Sequence, residues 1–213
     1  MKSPLINETL EAQLKTLLER LTDGVELTCI AGDGAKDEEM TAFLQHFASL
    51  SPKLTCRILK AGEDPELDEA LDASLLPATG VALPGEMPRM VFHGIPGGKE
   101  ITAFASAVLT AGGGMKPLDK PTLKDIAKVK NPMVLQICVS LGCQHCSQLV
   151  SSAHRVAWEN PLITAHMIDA NLYPALVKEY DIQRVPLTVI DRKRFVPGGK
   201  TMAELTSLLA RYK

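Results

Sequence analysis

Cys143 and Cys146 stand three residues apart, with Gln144 and His145 between them and Gly142 in front. A dithiol that closes to a disulfide and reopens carries two electrons, so the pair is a candidate for thiol–disulfide exchange. Its setting matters more than its spacing. The apolar run 133–140 reads as a strand and 144–158 as an amphipathic helix, which puts the pair where a strand ends and a helix begins. The unpaired amide N–H groups at a helix start and the positive end of its dipole stabilise an anion. Cys143 is therefore the candidate nucleophile, held partly as thiolate, and Cys146, one turn inward, the resolving thiol that breaks a mixed disulfide. His145 is placed to stabilise the thiolate further, directly or through water, which would move the couple towards the oxidising side. A metal site would need two more ligands, and the chain has no second Cys-x-x-Cys and no His-x-x-x-His, so no metal is expected.

The elements that position this pair occur twice. The segment Leu27-Thr28-Cys29-Ile30-Ala31 aligns with Gln136-Ile137-Cys138-Val139-Ser140 at an offset of 109 residues, and Pro52 with Pro161 and Leu76-Pro77 with Val185-Pro186 keep that offset. Pro96-Gly97-Gly98-Lys99 then matches Pro197-Gly198-Gly199-Lys200 at an offset of 101, so the first copy carries eight extra residues, in the turn-like stretch 83–88. The first copy predicts helices over 8–21, 37–49, 65–75 and 99–110, and strands over 25–31, 54–59, 78–83 and 89–95. The second predicts helices over 121–129, 144–158, 172–180 and 201–212, and strands over 133–140, 162–168, 187–191 and 194–196. Gly112-Gly113-Gly114, with Pro117 and Pro121 beyond, marks the junction, giving expected units 1–114 and 115–213. A βαβ unit, a helix and a ββα unit ending in antiparallel strands is the thioredoxin topology. The expected architecture is α/β: two tandem thioredoxin folds, each three layers (α/β/α) about a central mixed sheet.

Proline cannot donate to a sheet ladder, so Val185-Pro186 ahead of a strand marks a special turn, which a cis bond can satisfy. In thioredoxin folds a cis-proline here faces the dithiol and presents backbone to a substrate chain. Val185 and Pro186 are thus the candidate substrate-binding residues. In the first copy Gly34 and Asp37 stand where Cys143 and Cys146 stand in the second, so that copy lacks the means for dithiol exchange. Cys29 and Cys138 fall inside apolar strands, where a free thiol behaves as a small buried hydrophobe, and Cys56 reads the same way.

Composition narrows the rest. The chain has 213 residues, a net charge of −2 and 46% apolar residues, as an ordinary globular protein does. Interspersed charges and nine aromatic residues (one Trp, three Tyr, five Phe) argue against nucleic acid as a partner. No apolar run approaches the ~18–20 residues of a membrane span, and the N-terminus lacks the apolar core of a secretory signal. Five cysteines cannot all pair within one chain, which suits a reducing compartment, so a cytoplasmic location is expected.

A cysteine-poor repeat followed by a Cys-x-x-Cys repeat resembles the N-terminal domain of the flavoprotein component of bacterial alkyl hydroperoxide reductase, over essentially the whole chain. The stretch from Pro88-Arg89-Met90-Val91-Phe92 to Gly98-Lys99-Glu100 is similar to that family's Gly-x-Glu before an apolar helix, and Arg184-Val185-Pro186-Leu187-Thr188-Val189 to its cis-proline strand. The resemblance implies that Glu100 approaches the dithiol across the repeat interface and assists proton transfer. The chain departs from the family in having Gln-His between the cysteines where His-Asn is usual. No G-x-G-x-x-G follows a strand, so neither FAD nor NAD(P)H is expected to bind and no cofactor is assigned. A separate flavoprotein disulfide reductase, like thioredoxin reductase, would then be the donor, and a peroxiredoxin or another protein disulfide the acceptor. The tandem, glutaredoxin-like archaeal protein disulfide oxidoreductases are a further resemblance, although those commonly carry Cys-x-x-Cys in both repeats. Two other functions remain open: a disulfide isomerase or oxidase, suggested by His145, and a peptide-binding module in which the dithiol is incidental.

Overall fold

Period-two burial makes the strands and capped, half-apolar stretches make the helices. The computed structural model describes residues 2–212; Met1 and Lys213, the outer ends of the two expected units, lie outside the described residues. The first half runs α1 (Glu8–Leu18), β1 (Val25–Ala31), α2 (Ala35–Ala48), β2 (Leu54–Lys60), α3 (Pro65–Ala70), β3 (Ala78–Ala82), β4 (Met90–His93) and α4 (Glu100–Ala111). The second runs α5 (Lys120–Ile126), β5 (Met133–Val139), α6 (Cys146–Glu159), β6 (Ile163–Asp169), α7 (Pro174–Glu179), β7 (Leu187–Ile190), β8 (Arg194–Pro197) and α8 (Met202–Leu209). Side chains close the helix starts. Asn7, Asp64 and Asp119 accept from the amides of Leu10, Leu67 and Thr122, and Thr201 and Glu204 form a reciprocal box at α8.

The strands form one eight-stranded sheet in the order β2-β1-β3-β4-β6-β5-β7-β8. Each half repeats the same internal order, with its first two strands parallel and its last two antiparallel. The halves meet through a parallel pairing of β4 with β6, which sets Met90 opposite Ala165 and His93 opposite Ile168. The expectation of a thioredoxin-fold α/β chain about a central mixed sheet is met, with the addition that this sheet is shared.

Alternation along the strands sorts side chains between two faces. On one, α1, α2, α4, α5, α6 and α8 enclose a single core that includes Leu27, Cys29, Phe92, Leu135, Ile137 and Ala165. On the other, α3 covers Ile30, Ala78 and Val91, while α7 covers Cys138, Ile168 and Val189. Three layers result. Across the seam α4 packs on α6, and the Arg89 guanidinium donates to the carbonyls of Ala157 (3.1 Å) and Trp158 (3.4 Å). Among the described residues no helix is long and apolar enough to cross a membrane.

Several boundaries differ from the sequence expectation. The helix predicted over 65–75 ends at Ala70, because Asp72 turns into the left-handed region (φ 49°) and the chain folds back to a cis Leu76–Pro77 bond. The helix predicted from 144 starts at Cys146, which leaves Cys143 in the turn before it, its amide donating to Ser140 O at 3.0 Å.

Candidate functional site

The apolar strand β5 delivers the chain to the turn that holds the dithiol. Cys143 and Cys146 are joined as a disulfide with their Cα atoms 5.6 Å apart. The two sulfurs are not equivalent. Cys143 is half-buried in the turn, whereas Cys146, the first residue of α6, has no exposure. An incoming thiol therefore meets Cys143, and Cys146 is reached only through it.

Val185–Pro186 is cis, with Val185 half-buried and Pro186 buried, and Pro186 O accepts from the Gly198 amide at 2.9 Å. A 440 Å³ groove opens beside it, lined by His145, Gln148, Val185, Pro186, Lys200 and Glu204. His145 is exposed and is the cap residue of α6, yet its ring makes no capping hydrogen bond. Its Cβ lies 3.6 Å from where a side chain on Gly199 would begin, so the structure places His145 on the groove with the cis-proline. No described hydrogen bond joins it to a cysteine.

Glu100, the first residue of α4, is wholly buried, and neither carboxyl oxygen has a hydrogen-bond partner. Burial, followed by the charge of Asp169, pushes its pKa up to about 7. The turn before it is locked to the dithiol turn. Gly98 sits at φ 55°, and a Cβ there would lie 2.8 Å from Leu141 O, an approach only glycine permits. The Lys99 amide points at that same carbonyl at 3.5 Å. Glu100 thus starts one residue beyond a contact with Leu141, two residues before Cys143.

Sequence reasoning missed Asp169, buried at the end of β6 with its carboxyl pushed up by burial and with its Oδ1 accepting from the amide and side chain of Asn171. Its signal was present, since a carboxylate ends an otherwise apolar strand at the same end of the sheet as the dithiol. The cis Leu76–Pro77 bond was also legible, as it stands at the repeat offset from Val185–Pro186.

The corresponding corner of the first half holds a carboxylate in place of a thiol. Asp37 is buried at the start of α2 and accepts from the amides of Gly32 (2.6 Å) and Gly34 (3.2 Å). That cap is structural chemistry with no electron to transfer. Cys29 and Cys138 are fully buried, and burial pushes each thiol up to about 12. Cys56 is half-buried and not fully packed, and burial raises it to about 11. At neutral pH all three stay protonated and are poor nucleophiles.

Comparison with known proteins agrees with this geometry. A thioredoxin domain family model matches residues 133–210. The alkyl hydroperoxide reductase flavoprotein AhpF of Pseudomonas putida is 29% identical over 201 residues, covering 94% of this chain and 36% of that protein. The chain spans little more than a third of the length of the curated relatives it matches. The crystal structure of the N-terminal domain of the alkyl hydroperoxide reductase AhpF from Enterococcus faecalis superposes with a TM-score of 0.90 at 31% identity, covering 95% of this chain and 99% of that one. A protein disulfide oxidoreductase from Aeropyrum pernix shares the fold at 20% identity and a TM-score of 0.84, over 96% of this chain and 92% of that one. With its Cys143–Cys146 pair on this fold, the chain belongs to the family of the N-terminal domain of the alkyl hydroperoxide reductase AhpF, and is a thiol–disulfide oxidoreductase of the thioredoxin type.

Proposed function

We propose that the chain is a cytoplasmic electron relay that takes two electrons from a flavoprotein disulfide reductase and passes them to a peroxiredoxin or another protein disulfide. The observation that carries this reading is the asymmetric pair, Cys143 reachable and Cys146 buried at a helix start. In the reduced form the Cys143 thiolate attacks one sulfur of the substrate disulfide, forming a mixed disulfide and expelling the other sulfur as a thiolate. Cys146 then gives up its proton and attacks Cys143 Sγ, which breaks the mixed disulfide and releases the second substrate sulfur. The substrate gains two electrons, and the relay is left as the Cys143–Cys146 disulfide for the donor to reduce.

Glu100 is assigned to carry the proton. A carboxyl poised near 7 accepts the Cys146 proton and returns it to a departing thiolate at neutral pH. Val185 and Pro186 present backbone to the substrate segment along the adjoining groove, and His145 lines that groove. The chemistry is confined to the unit 115–213, while 1–114 contributes Glu100 and the other half of the shared sheet.

The test is reduction of insulin or a peroxiredoxin disulfide with a thioredoxin reductase as donor. Cys143→Ser is expected to abolish turnover, and Cys146→Ser to stall as a trapped mixed disulfide; turnover that survives Cys143→Ser ends the proposal. The reduction potential separates a relay from an oxidant or isomerase. A value near the ~−270 mV of thioredoxin supports the relay, and one near the ~−180 mV of disulfide isomerases supports the alternative.

A further inference from the structure

The face of the sheet away from α6 holds a second polar constellation, which the relay chemistry does not use. A 680 Å³ groove lies where α3 and α7 leave the middle of the sheet uncovered, with Val134, Gln136, Thr164 and His166 on its floor and Asp72 and Arg192 on its rim. The floor belongs to the leading half of β5 and β6, whereas the dithiol lies beyond the trailing end of β5, and α6 packs on the other face. The two sites are therefore separate.

A chain of hydrogen bonds fixes what the floor displays. His93 Nδ1 lies 2.8 Å from Leu75 O, and a carbonyl only accepts, so His93 Nδ1 carries the proton. Neutral His93 then offers a lone pair at Nε2, which accepts from His166 Nδ1 at 2.9 Å. His166 is left with its lone pair on Nε2. Burial and the neighbouring His93 push its pKa down to about 3, so that acceptor persists across the neutral range. Gln136 is His166's register partner on the next strand, and its Oε1 accepts the Tyr180 hydroxyl at 2.7 Å. Its amide nitrogen is the group left to donate. Gln136 and His166 are buried to 2% and 5% exposure, yet neither Gln136 Nε2 nor His166 Nε2 is among the sealed-off orphan atoms. Both nitrogens reach the open groove, and neither has a hydrogen-bond partner among the described residues.

A donor and an acceptor thus stand side by side on neighbouring strands, ~4.8 Å apart in strand spacing. We propose that this groove is a binding site for a small neutral cis-amide, a lactam or primary carboxamide, whose C=O accepts from Gln136 Nε2 while its N–H donates to His166 Nε2. A peptide-type trans amide presents those groups on opposite sides and cannot bridge the pair. Val134, 39% exposed, supplies an apolar surface for a flat ring. The rim sets Asp68, Glu69 and Asp72 against Arg192, which is already paired with Asp72 at 2.8 Å, so anionic ligands are disfavoured.

The test is an NMR titration of the ¹⁵N-labelled, oxidised protein with δ-valerolactam up to about 50 mM, the range in which a ligand of so few atoms binds. Saturable shifts of the Gln136 side-chain N–H and His166 ring resonances are expected, unchanged in Cys143→Ser and weakened about tenfold or more in His166→Phe. Because His166 is buried and that variant could misfold, two wild-type controls decide independently. N-methylacetamide, which is trans, and N-methylpiperidone, which has no N–H, are expected to leave those resonances in place. Equal binding of either control, or no site-specific shift with valerolactam, overturns the proposal.

Discussion

Replacing Glu100 by Gln isolates the cost of hiding a carboxyl that has no partner. Glu100 has no exposure, both oxygens are unpaired, and its pKa rises from the usual 4.5 to about 7. Between those two pH values the folded protein keeps a proton that the unfolded chain has released. The folded state is thus the one that binds more protons, and stability falls as pH rises through that window. At about 1.4 kcal/mol per pH unit the decline amounts to roughly 3 kcal/mol, complete a little above pH 7 and absent below pH 4. Gln keeps the shape without the ionisation. Urea unfolding of the oxidised protein from pH 4 to pH 8.5, with the disulfide intact so that neither cysteine of the pair titrates, measures the effect. The wild-type and Glu100→Gln curves are expected to lie within about 1 kcal/mol of each other at pH 4, with the variant about 3 kcal/mol more stable at pH 8. The same variant should lose the pH dependence near 7 in the rate of dithiol exchange if Glu100 carries the proton. Parallel stability curves across the whole range would refute the reasoning, because a carboxyl that ionises without cost is not desolvated.

Three other perturbations report on the frame around the site. Phe104, fully buried, meets Phe43, Phe47 and Phe92 edge-on at ring-centre distances of 5.6, 5.0 and 5.1 Å, so Phe104→Ala should cost about 3–5 kcal/mol in chemical denaturation. The Asn160 side chain donates to Ile126 O and Val129 O, each at 3.1 Å, and accepts from the Leu162 amide at 3.0 Å. Asn160→Ala, which strands two carbonyls, should lower stability by about 2–4 kcal/mol, and a loss below about 1 kcal/mol would mean water replaces the side chain. Gly98→Ala puts a Cβ 2.8 Å from Leu141 O at a positive φ. It should cost about 1–3 kcal/mol and, by moving the turn that leads to Glu100, flatten the pH dependence described above, a readout that a purely local strain would leave unchanged.

Much of the site was legible because its signals are local. The Cys143/Cys146 spacing, the strand before it and the helix after it lie within one stretch of chain, and the proline of Val185–Pro186 is marked by its own covalent geometry. Boundaries slipped where a turn competed with a periodic pattern. The apolar spacing of 65–75 continues past Ala70, but the left-handed Asp72 ends the helix, and a left-handed aspartate carries no periodicity to read. Likewise, Cys143 lies ahead of the helix because its amide closes a turn onto Ser140.

The amino-acid sequence by itself determined the duplicated βαβ and ββα order, the junction near Gly114 and the confinement of the paired thiols to the second copy, since each follows from short-range pattern and composition. Only the tertiary structure decided that the copies share one sheet through β4 and β6, that Glu100 ends up sealed, unpaired and pushed towards neutrality by burial and Asp169, and that His93 and His166 meet at 2.9 Å across the seam. These depend on the pairing of two strand edges that brings together residues remote in the chain, 73 positions apart for His93 and His166. A strand's own periodicity says which of its faces is buried, but not which edge of another strand it will join.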